Sequence, residues 1–261
     1  MDVLAFVNSG GGQAKSSTCH SVASSLAIAG NKVLCVDMDG QSSLTNWCGI
    51  QDVEEQSYLL EVLLDEREIS SAVLDTPIPN MSILPASLHL YQAEKHFADE
   101  IASDELLNMA LSKIEIQYDY VCIDTPPQMG ILSYQAMLAS RNLVIPVEAS
   151  WKSLQAMRGL LKVINIMRER RCPELAINSI VPSRVDLRQA SCKQSVELLR
   201  ENFGELVTDT VITDSVVMKD AFAHEKSVIT YAPKSKTADQ ITQLTKEILS
   251  RLNRGELRNV A

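Results

Sequence analysis

The 261-residue sequence is poor in aromatic side chains: they make up 5% of it, although 46% of its residues are hydrophobic. Its core must therefore be largely aliphatic, and a core rich in Val, Ile and Leu is typical of buried parallel strands. No internal repeat, low-complexity tract or linker interrupts the chain. Because undivided α/β folds often reach this length, we expect one domain over residues 1–261.

Signals for secretion and for the membrane are also missing. None of the six cysteines belongs to a Cys-x-x-Cys pair, and no apolar run approaches the roughly 18–20 residues of a membrane span. The sequence opens on an apolar, strand-like run without the basic flank or cleavage site of a signal peptide. We therefore predict reduced cysteines, a cytoplasmic protein and no membrane partner.

Positive charge is in deficit, with 24 Lys and Arg against 33 Asp and Glu and a net charge of −9. This balance argues against a general polyanion binder, although it is compatible with a local basic patch. Any contact with DNA must then come from a limited group of basic side chains.

A glycine-rich stretch near the N-terminus carries the first sign of chemistry. Residues 8–17 read Asn-Ser-Gly-Gly-Gly-Gln-Ala-Lys-Ser-Ser, between an apolar run at 3–7 and a helical pattern at 17–29. Strand, Gly-rich turn, Lys-Ser and helix follow one another in this way in a phosphate-binding loop. The glycines let backbone N–H groups close around phosphate oxygens, Lys15 supplies a positive charge, and the Ser16 hydroxyl suits Mg²⁺.

The match to the usual loop sequence is incomplete. The pattern G-x-x-x-x-G-K-[S/T] has glycine where this chain has Ser9 and Ala14. Taken alone, the stretch is therefore also compatible with a Gly-rich strand-to-helix turn that carries an exposed lysine.

Acidic residues follow two other apolar runs. Asp37 and Asp39 come after residues 33–36, and Asp124 ends the run at 120–123. An apolar strand that ends in Asp is the Walker B pattern, whose carboxylate helps to hold Mg²⁺ through water. Since ligands of open α/β sheets bind beyond the carboxyl ends of the strands, we expect these acids in one site. The alternative for Asp39 is a turn or a helix cap.

Apolar runs and helical periodicities alternate along the whole chain. The predicted strands lie at 3–7, 33–36, 81–85, 120–124, 143–147, 176–181 and 209–212. The predicted helices lie at 17–29, 59–74, 88–116, 132–139, 153–170, 196–202 and 238–252. Such alternation predicts an α/β fold with a mostly parallel, twisted sheet and helices on both faces.

In their order and spacing, these motifs resemble the ParA/MinD family of deviant-Walker ATPases. The similar stretches are Asn-x-x-Gly-Gly-x-x-Lys-Ser, Val-Leu-Cys-Val-Asp-Met-Asp-Gly-Gln and Tyr-Asp-Tyr-Val-Cys-Ile-Asp-Thr-Pro-Pro, with shorter ones at 84–86, 145–147 and 228–236. The resemblance covers nearly the whole chain. The ParA branch fits better than the MinD branch, because Asp-Gly-Gln at 39–41 resembles the ParA sequence Asp-Pro-Gln.

The resemblance implies a single P-loop NTPase domain that works as an ATP-dependent switch. In such proteins ATP and Mg²⁺ draw two subunits into a face-to-face homodimer, which binds non-specific, nucleoid DNA. A small adaptor on the cargo, McdB-like or ParB-like, stimulates slow ATP hydrolysis and releases the dimer. The resulting gradient positions the cargo, which is a carboxysome in the McdA-type branch and a plasmid or chromosome in partition ParA proteins.

Carried over residue by residue, the resemblance implies a complete nucleotide site. The nucleotide would be bound by Gly10, Gly11, Gly12, Gln13, Ala14, Lys15, Ser16 and Ser17, with Pro182 and Ser183 at the adenine. The Mg²⁺ site would consist of Ser16, Asp37 and Asp124. The catalytic residues would be Asp39, which orients the attacking water, Lys15 and Lys152.

The largest departure from the family is at residue 10. Other members of the family have a signature lysine there, which reaches across the dimer to the partner's phosphates. This chain has Gly10 there. Such a cation acts like an arginine finger, so its loss without replacement should weaken dimerisation and hydrolysis. Lys152 is the candidate replacement, since it follows a strand end on a flexible stem; a solvated loop lysine is the alternative. The missing lysine resembles the McdA-type branch, and a plasmid or chromosome partition ATPase is the runner-up.

Candidate DNA contacts are basic residues in the second half of the chain: Arg168, Arg170, Arg171, Lys219, Lys234, Lys236, Arg251, Arg254 and Arg258. Each is also compatible with an ordinary solvated charge. The family's basic positions around 214–218 here include Asp214 and Met218. No helix-turn-helix precedes the loop, so sequence-specific repression is not expected.

Two other functions are compatible with parts of the sequence. A metabolic P-loop enzyme, such as a dethiobiotin-synthetase-like ligase, has a related architecture, but we find no acceptor-binding signature. A nucleotide-free scaffold would explain Gly10 and Ala14, but the retained Lys-Ser pair and the two strand-end acids argue against it.

Overall fold

A computed structural model of the chain describes residues 1–51, 58–91, 96–97 and 102–253. Seven strands of the described residues form one sheet. They are β1 (Asp2–Phe6), β2 (Val33–Asp37), β3 (Leu74–Asp75), β4 (Met81–Leu84), β5 (Tyr120–Asp124), β6 (Asn142–Glu148) and β7 (Ala176–Ser183). Their order across the sheet is β3-β4-β2-β5-β1-β6-β7, and every pair is parallel except β3 with β4. The predicted mostly parallel sheet is confirmed.

Eleven α-helices occur in the described residues. They are α1 (Lys15–Ile28), α2 (Ser43–Trp47), α3 (Tyr58–Leu63), α4 (Ile69–Ala72), α5 (Leu106–Ser112), α6 (Ile131–Ser140), α7 (Trp151–Arg170), α8 (Ala190–Phe203), α9 (Val216–Ala223), α10 (Val228–Tyr231) and α11 (Lys236–Asn253). No helix within those ranges is both long and apolar enough to traverse a lipid bilayer.

Side chains on the two faces of the sheet form two separate cores. Successive residues of a strand point to opposite faces; Val3 and Ala5 belong to one buried cluster, and Leu4 and Phe6 to the other. Helices α6 and α7 contribute to the first cluster, and α1 and α11 contribute to the second. The prediction of helices on both faces is therefore confirmed, and the central strands are buried on both sides, as an aliphatic parallel sheet requires.

The strand predicted at 209–212 is wrong. The chain there forms no strand, and two isolated bridges flank it, Val207 with Ile180 and Thr213 with Val185. The backbone N–H groups of Asp209 and Thr210 are donated to the Glu247 carboxylate of α11, at 2.9 and 3.0 Å. The Glu247 side chain therefore accepts the two backbone N–H groups that a strand paired with β7 would have donated to its neighbour.

Several predicted helices have different bounds in the structure. The helix predicted at 59–74 divides into α3 and α4, because the chain turns through Asp65, whose φ is 59°. The helix predicted at 88–116 lies partly outside the described residues, and its described end holds a 3₁₀ turn at Ser103–Glu105 followed by α5. The helix predicted at 196–202 begins earlier, at Ala190. Helices α2, α9 and α10 were not predicted, because so few turns show no clear periodicity.

Candidate functional site

The phosphate-binding loop connects β1 to α1 and is tied to the neighbouring strand β6 at two points. Asn8 Nδ2 donates to the Pro146 carbonyl at 2.6 Å, while Asn8 Oδ1 accepts from the Gly10 N–H at 3.2 Å. Gln13 Oε1 accepts from the Glu148 N–H at 3.0 Å. These contacts hold the loop at the carboxyl edge of the sheet, directly before the N-terminus of α1, where backbone N–H groups favour an anion.

Ala14 adopts a backbone conformation that favours glycine. Its φ is 65°, in the left-handed region, at the position where the usual loop pattern has its second glycine. The Cβ of Ala14 therefore carries a steric cost that glycine would not. The loop nevertheless keeps its turn into α1, with the Thr18 N–H donated to the Ala14 carbonyl at 2.9 Å.

Lys15 is buried behind the loop. Its ammonium donates to the Gly10 carbonyl at 3.2 Å. Burial lowers the pKa of Lys15, while the nearby carboxylates of Asp124 and Asp39 raise it. The lysine therefore lies between the loop backbone and the strand-end acids.

Asp37 holds the segment that follows β2. Its Oδ1 accepts from the Asp39 N–H at 3.1 Å, and its Oδ2 accepts from the N–H and the hydroxyl of Thr45 at 2.9 and 2.8 Å. Burial raises the pKa of Asp37 to about 6, although the hydrogen bonds from Thr45 and Asp39 oppose that shift. Asp37 thus fixes the chain on both sides of Asp39, whose own Oδ1 accepts from the Gln41 N–H at 3.0 Å.

Asp124 is a buried strand-end acid whose carboxylate is poorly hydrogen-bonded in the described residues. The register of the sheet places it beside Asp37 and next to Phe6, at the end of β1. Both oxygens are buried, and neither has a hydrogen-bond partner of good geometry in the described part of the chain. Burial and the neighbouring Asp37 raise its pKa well above the usual value, while Ser16 and Lys15 lower it.

An uncompensated buried carboxylate next to a serine hydroxyl fits a divalent cation. Removing an ionised carboxylate from water is costly unless an opposite charge or hydrogen bonds replace the solvent. A hydrated Mg²⁺ between Ser16 and Asp124 would supply both, and oxygen ligands are the ones that Mg²⁺ prefers. The residues present therefore fit the ion that the loop motif implies.

A cavity of about 410 Å³ opens in front of the loop, within the usual size of a small-molecule site. Its lining comes from the loop, from the segment after β2, and from the segment before and within α9, together with Pro127 and Arg184. The lining residues are Gly11, Gly12, Gln13, Ala14, Lys15, Ser16, Ser17, Asp39, Gln41, Ser43, Trp47, Pro127, Arg184, Ile212, Thr213, Asp214, Ser215, Met218, Lys219 and Phe222. The rings of Trp47 and Phe222 stack with centroids 4.4 Å apart. This stacked pair forms a second wall of the cavity that was not predicted, because neither Trp47 nor Phe222 belongs to a motif.

Six of the predicted site residues lie outside the cavity lining: Gly10, Asp37, Asp124, Lys152, Pro182 and Ser183. Pro182 and Ser183 are buried at the end of β7, and the next residue, Arg184, reaches the cavity instead. Lys152 is an exposed residue in the first turn of α7. It follows Glu148, the strand end that contacts the loop, by four residues. Lys152 therefore lies on the outer surface of the subunit, one helical turn after the strand end that contacts the loop.

Several predicted DNA contacts are engaged within the fold. Arg251 donates to the carbonyls of Asn178, Leu206 and Val207 at 3.2, 2.8 and 3.2 Å, so it joins α11 to β7 and the turn that follows α8. Arg171 pairs with an Asp104 carboxylate oxygen at 2.6 Å. Arg168 donates to a backbone carbonyl, Lys219 lies 3.9 Å from an Asp214 oxygen, and Arg254 and Arg258 fall outside the described residues. Arg170, Lys234 and Lys236 are exposed.

A parallel α/β sheet with a lysine-containing loop between its first strand and first helix, facing two strand-end acids, defines a P-loop nucleoside triphosphatase. The AAA domain family (AAA_31) matches residues 1–177. The chain is 30% identical over 246 residues to the sporulation initiation inhibitor protein Soj of Bacillus subtilis, covering 94% of this chain and 97% of Soj. It is 29% identical over 251 residues to the chromosome partitioning protein ParA of Caulobacter vibrioides, covering 95% and 94%.

Solved structures share the whole fold. The structure of cobyrinic acid a,c-diamide synthase from Mycobacterium smegmatis, with bound ADP and magnesium, has a TM-score of 0.86 and 26% identity, covering 100% of this chain and 99% of that one. Apo McdA from Cyanothece has a TM-score of 0.87 and 24% identity, covering 95% and 99%. Together with the sequence relatives, these matches place the chain in the ParA/MinD family of deviant-Walker ATPases.

Proposed function

We propose that this protein is an ATP-dependent positioning ATPase. It binds ATP with Mg²⁺, dimerises, binds DNA without sequence preference, and is released when an adaptor on the cargo stimulates slow hydrolysis. The observation that carries the proposal is the arrangement of Lys15 with Asp39 and Asp124 at one loop, with Lys15 and Asp39 lining one cavity. Membership of a family of P-loop ATPases, with partition proteins among its relatives, supports it.

Each residue of this group has a separate task in the proposed reaction. Lys15 and the loop backbone bind the phosphates, and Ser16 and Asp124 hold Mg²⁺, which neutralises charge on the transferred phosphoryl group. Asp39 lies in the cavity at the end of a segment that Asp37 fixes, so it is positioned to orient the attacking water. A dimer contact opposite the loop would place Lys152 within reach of the second nucleotide.

The cargo is proposed from the loop itself. Gly10 lacks the signature lysine of the family, which favours a McdA-type protein that positions carboxysomes through a McdB-like adaptor. The curated relatives favour a second candidate, a plasmid or chromosome partition ATPase with a ParB-like adaptor, because one of them is named a chromosome partitioning protein. Sequencing of the neighbouring reading frame, followed by the effect of its product on the ATPase rate, separates the two.

A metabolic ligase is the rival from another class. The structure named as a cobyrinic acid a,c-diamide synthase shares the fold at 26% identity. A ligase would release ADP only when a small acceptor is supplied, whereas a positioning ATPase responds to DNA and an adaptor. ATP turnover that is silent until cobyrinic acid and an amide donor are added would favour the ligase.

The test combines light scattering and DNA gel shifts with Mg·ATP, Mg·ADP and a non-hydrolysable ATP analogue. We expect a dimer and a shifted DNA band with ATP and the analogue, and a monomer without DNA binding with ADP. Asp39→Ala should trap the dimer, because binding is retained and hydrolysis is lost. Equal DNA binding in all three nucleotide states would contradict the proposal, and an Asp39→Ala chain that hydrolyses ATP at the normal rate would remove Asp39 from its role.

The proposed cellular distribution is a second readout. A fluorescent fusion of the full chain should lie over the nucleoid in the cytoplasm while ATP is bound. The Asp39→Ala fusion should stay spread over the nucleoid instead of redistributing with the cargo. A wild-type fusion that is uniform through the cytoplasm and excluded from the nucleoid would argue against DNA as the partner.

A further inference from the structure

Arg184 is an exposed residue at the edge of the cavity, in the turn that follows β7. Its neighbours on both sides are fixed. The Ser183 carbonyl accepts from the Ala149 N–H at 3.3 Å, and the Val185 N–H donates to the Ile212 carbonyl at 3.0 Å. The position of Arg184 is therefore set by the sheet, although the residue itself faces solvent.

The guanidinium of Arg184 lies on the phosphate-binding loop of the same subunit. Its Nη1 donates to the Gly12 carbonyl at 3.2 Å. A Cβ at Gly12 would stand 3.7 Å from that nitrogen, so the guanidinium is in contact range of the loop backbone. A guanidinium has five N–H donors, and those beyond the Gly12 contact are available to a ligand in the cavity.

Lys15 is the one basic side chain in the loop sequence, residues 8–17. Gly10 has no side chain, and the Lys15 ammonium is buried against the Gly10 carbonyl. The cavity also contains Asp39 and Asp214, which would repel a polyphosphate; Asp214 has Lys219 at 3.9 Å. Arg184 has no carboxylate partner within 4.0 Å in the described part of the chain, so its charge is not already neutralised.

The backbone of Arg184 is held in an unfavourable conformation. Its φ is 52°, in the left-handed region that non-glycine residues rarely adopt. An exposed arginine gains no packing energy that would offset this cost. Strain that persists at the edge of a ligand cavity is a recognised indication of function.

We infer that Arg184 binds the phosphates of the nucleotide held by its own subunit, and so supplies in cis a positive charge that Gly10 cannot. This inference rests on the proposed function, because it assigns a binding residue for the same nucleoside triphosphate. Arginine suits the task, since its planar fork bonds phosphate oxygens bidentately. The role differs from that proposed for Lys152, which would act on the nucleotide of the second subunit.

The test compares Arg184→Gln and Arg184→Lys with Arg188→Gln. Arg188 lies in the same turn, is bonded to Asp186 and does not line the cavity, so it controls for loss of a positive charge nearby. Calorimetric titration with a non-hydrolysable Mg·ATP analogue gives the affinity, and inorganic tripolyphosphate serves as a competitor that has no base. Thermal unfolding without ligand reports the fold of each variant.

We expect Arg184→Gln to weaken both the ATP analogue and tripolyphosphate about tenfold, Arg184→Lys to recover part of the loss, and Arg188→Gln to bind like wild type. Weaker analogue binding with unchanged tripolyphosphate binding would assign Arg184 to the base and overturn the inference, as would unchanged binding of both. A fall in the unfolding temperature that Arg184→Lys shares, together with equal losses of affinity, would make the role structural and also overturn it. If wild-type protein binds neither ligand, the proposed function itself fails.

Discussion

The ring of Tyr91 lies against the backbone of Gly40, so that a Cβ at residue 40 would stand 3.0 Å from Tyr91 Cε2. Gln41 Nε2 also donates a hydrogen bond to the Tyr91 hydroxyl. Because Gly40 directly follows Asp39, this contact helps to set the course of the chain that carries the proposed water-orienting carboxylate. It also gives a physical reason for the sequence Asp-Gly-Gln, since the ring of a proline at residue 40 would meet the ring of Tyr91.

We predict that Gly40→Ala destabilises the protein by about 1 kcal/mol, at the low end for overpacking because Tyr91 is 41% exposed and can turn away. In the double variant Gly40→Ala/Tyr91→Ala, the added methyl group meets no ring and its cost should disappear. Urea unfolding of the wild type, both single variants and the double variant gives the coupling energy. Additive effects of the two substitutions would show that the ring does not constrain residue 40.

A second prediction concerns the backbone strain at Ala14, whose φ is 65°. Ala14→Gly removes a steric cost of about 1–2 kcal/mol in the folded state. It also increases the conformational entropy of the unfolded chain, which destabilises the folded protein by about 0.4–1 kcal/mol. We therefore expect a net stabilisation of about 0.5 kcal/mol by chemical denaturation. Ala29→Gly is the matched control, because Ala29 is exposed and has a φ of −73°. It should destabilise the protein, and the same sign at both positions would contradict the strain.

The sheet and the acidic residues of the site can be predicted from local sequence. The opposite wall of the cavity cannot. Buried strands that end in Asp37 and Asp124 are visible as apolar runs, and parallel topology then places their ends together. The wall formed by Trp47, Phe222 and Arg184 depends on contacts between segments more than 100 residues apart, which carry no periodic signal. Ala14 shows the opposite case, since the loop pattern has glycine at this position and the backbone of Ala14 does adopt a left-handed φ of 65°.

The predicted strand at 209–212 illustrates why pattern reasoning fails at an edge. Its β-branched residues, Thr210, Val211 and Ile212, suit a strand, and Ile212 is indeed buried. The Glu247 carboxylate, 35 or more residues away along the chain, accepts the N–H groups that would have paired with β7. Only the tertiary position of α11 decides between these two partners.

A third prediction tests Lys152. If its ammonium reaches the nucleotide of the second subunit, Lys152→Ala should weaken ATP-dependent dimerisation about tenfold, the typical cost of one charge-assisted contact. Lys162→Ala is the matched control, because Lys162 is exposed on the same helix, α7, ten residues further on. Sedimentation with the non-hydrolysable ATP analogue gives the dimer dissociation constant. Equal constants for the two variants would make Lys152 an ordinary surface residue.

The fourth prediction concerns His20, which α1 places in the core behind the cavity. The imidazole is fully buried, packs edge-on against Phe222 with centroids 5.1 Å apart, and has no hydrogen-bond partner of good geometry in the described part of the chain. Burial lowers its pKa to about 4, although the Trp47 backbone offsets part of the shift. Protonation of this ring therefore favours the unfolded state.

The sign of the pH effect follows from that lowered pKa. An unfolded histidine titrates near 6.5, so the folded protein should lose stability as the pH falls from about 6.5 through about 4, by about 3 kcal/mol in total. Asp37 acts in the opposite direction over the same range, since its folded pKa is raised to about 6. His20→Leu removes only the histidine contribution, so wild type minus variant isolates it.

We therefore expect the wild type to lose stability relative to His20→Leu as the pH falls below 6.5. Above pH 7 the difference between their free energies of unfolding should be constant. Urea unfolding at half-unit pH intervals measures it. His224→Leu is the control, because His224 is an exposed histidine. A difference that does not depend on pH would mean that the His20 ring finds a partner, such as water or the Trp47 backbone, that stabilises its charged form.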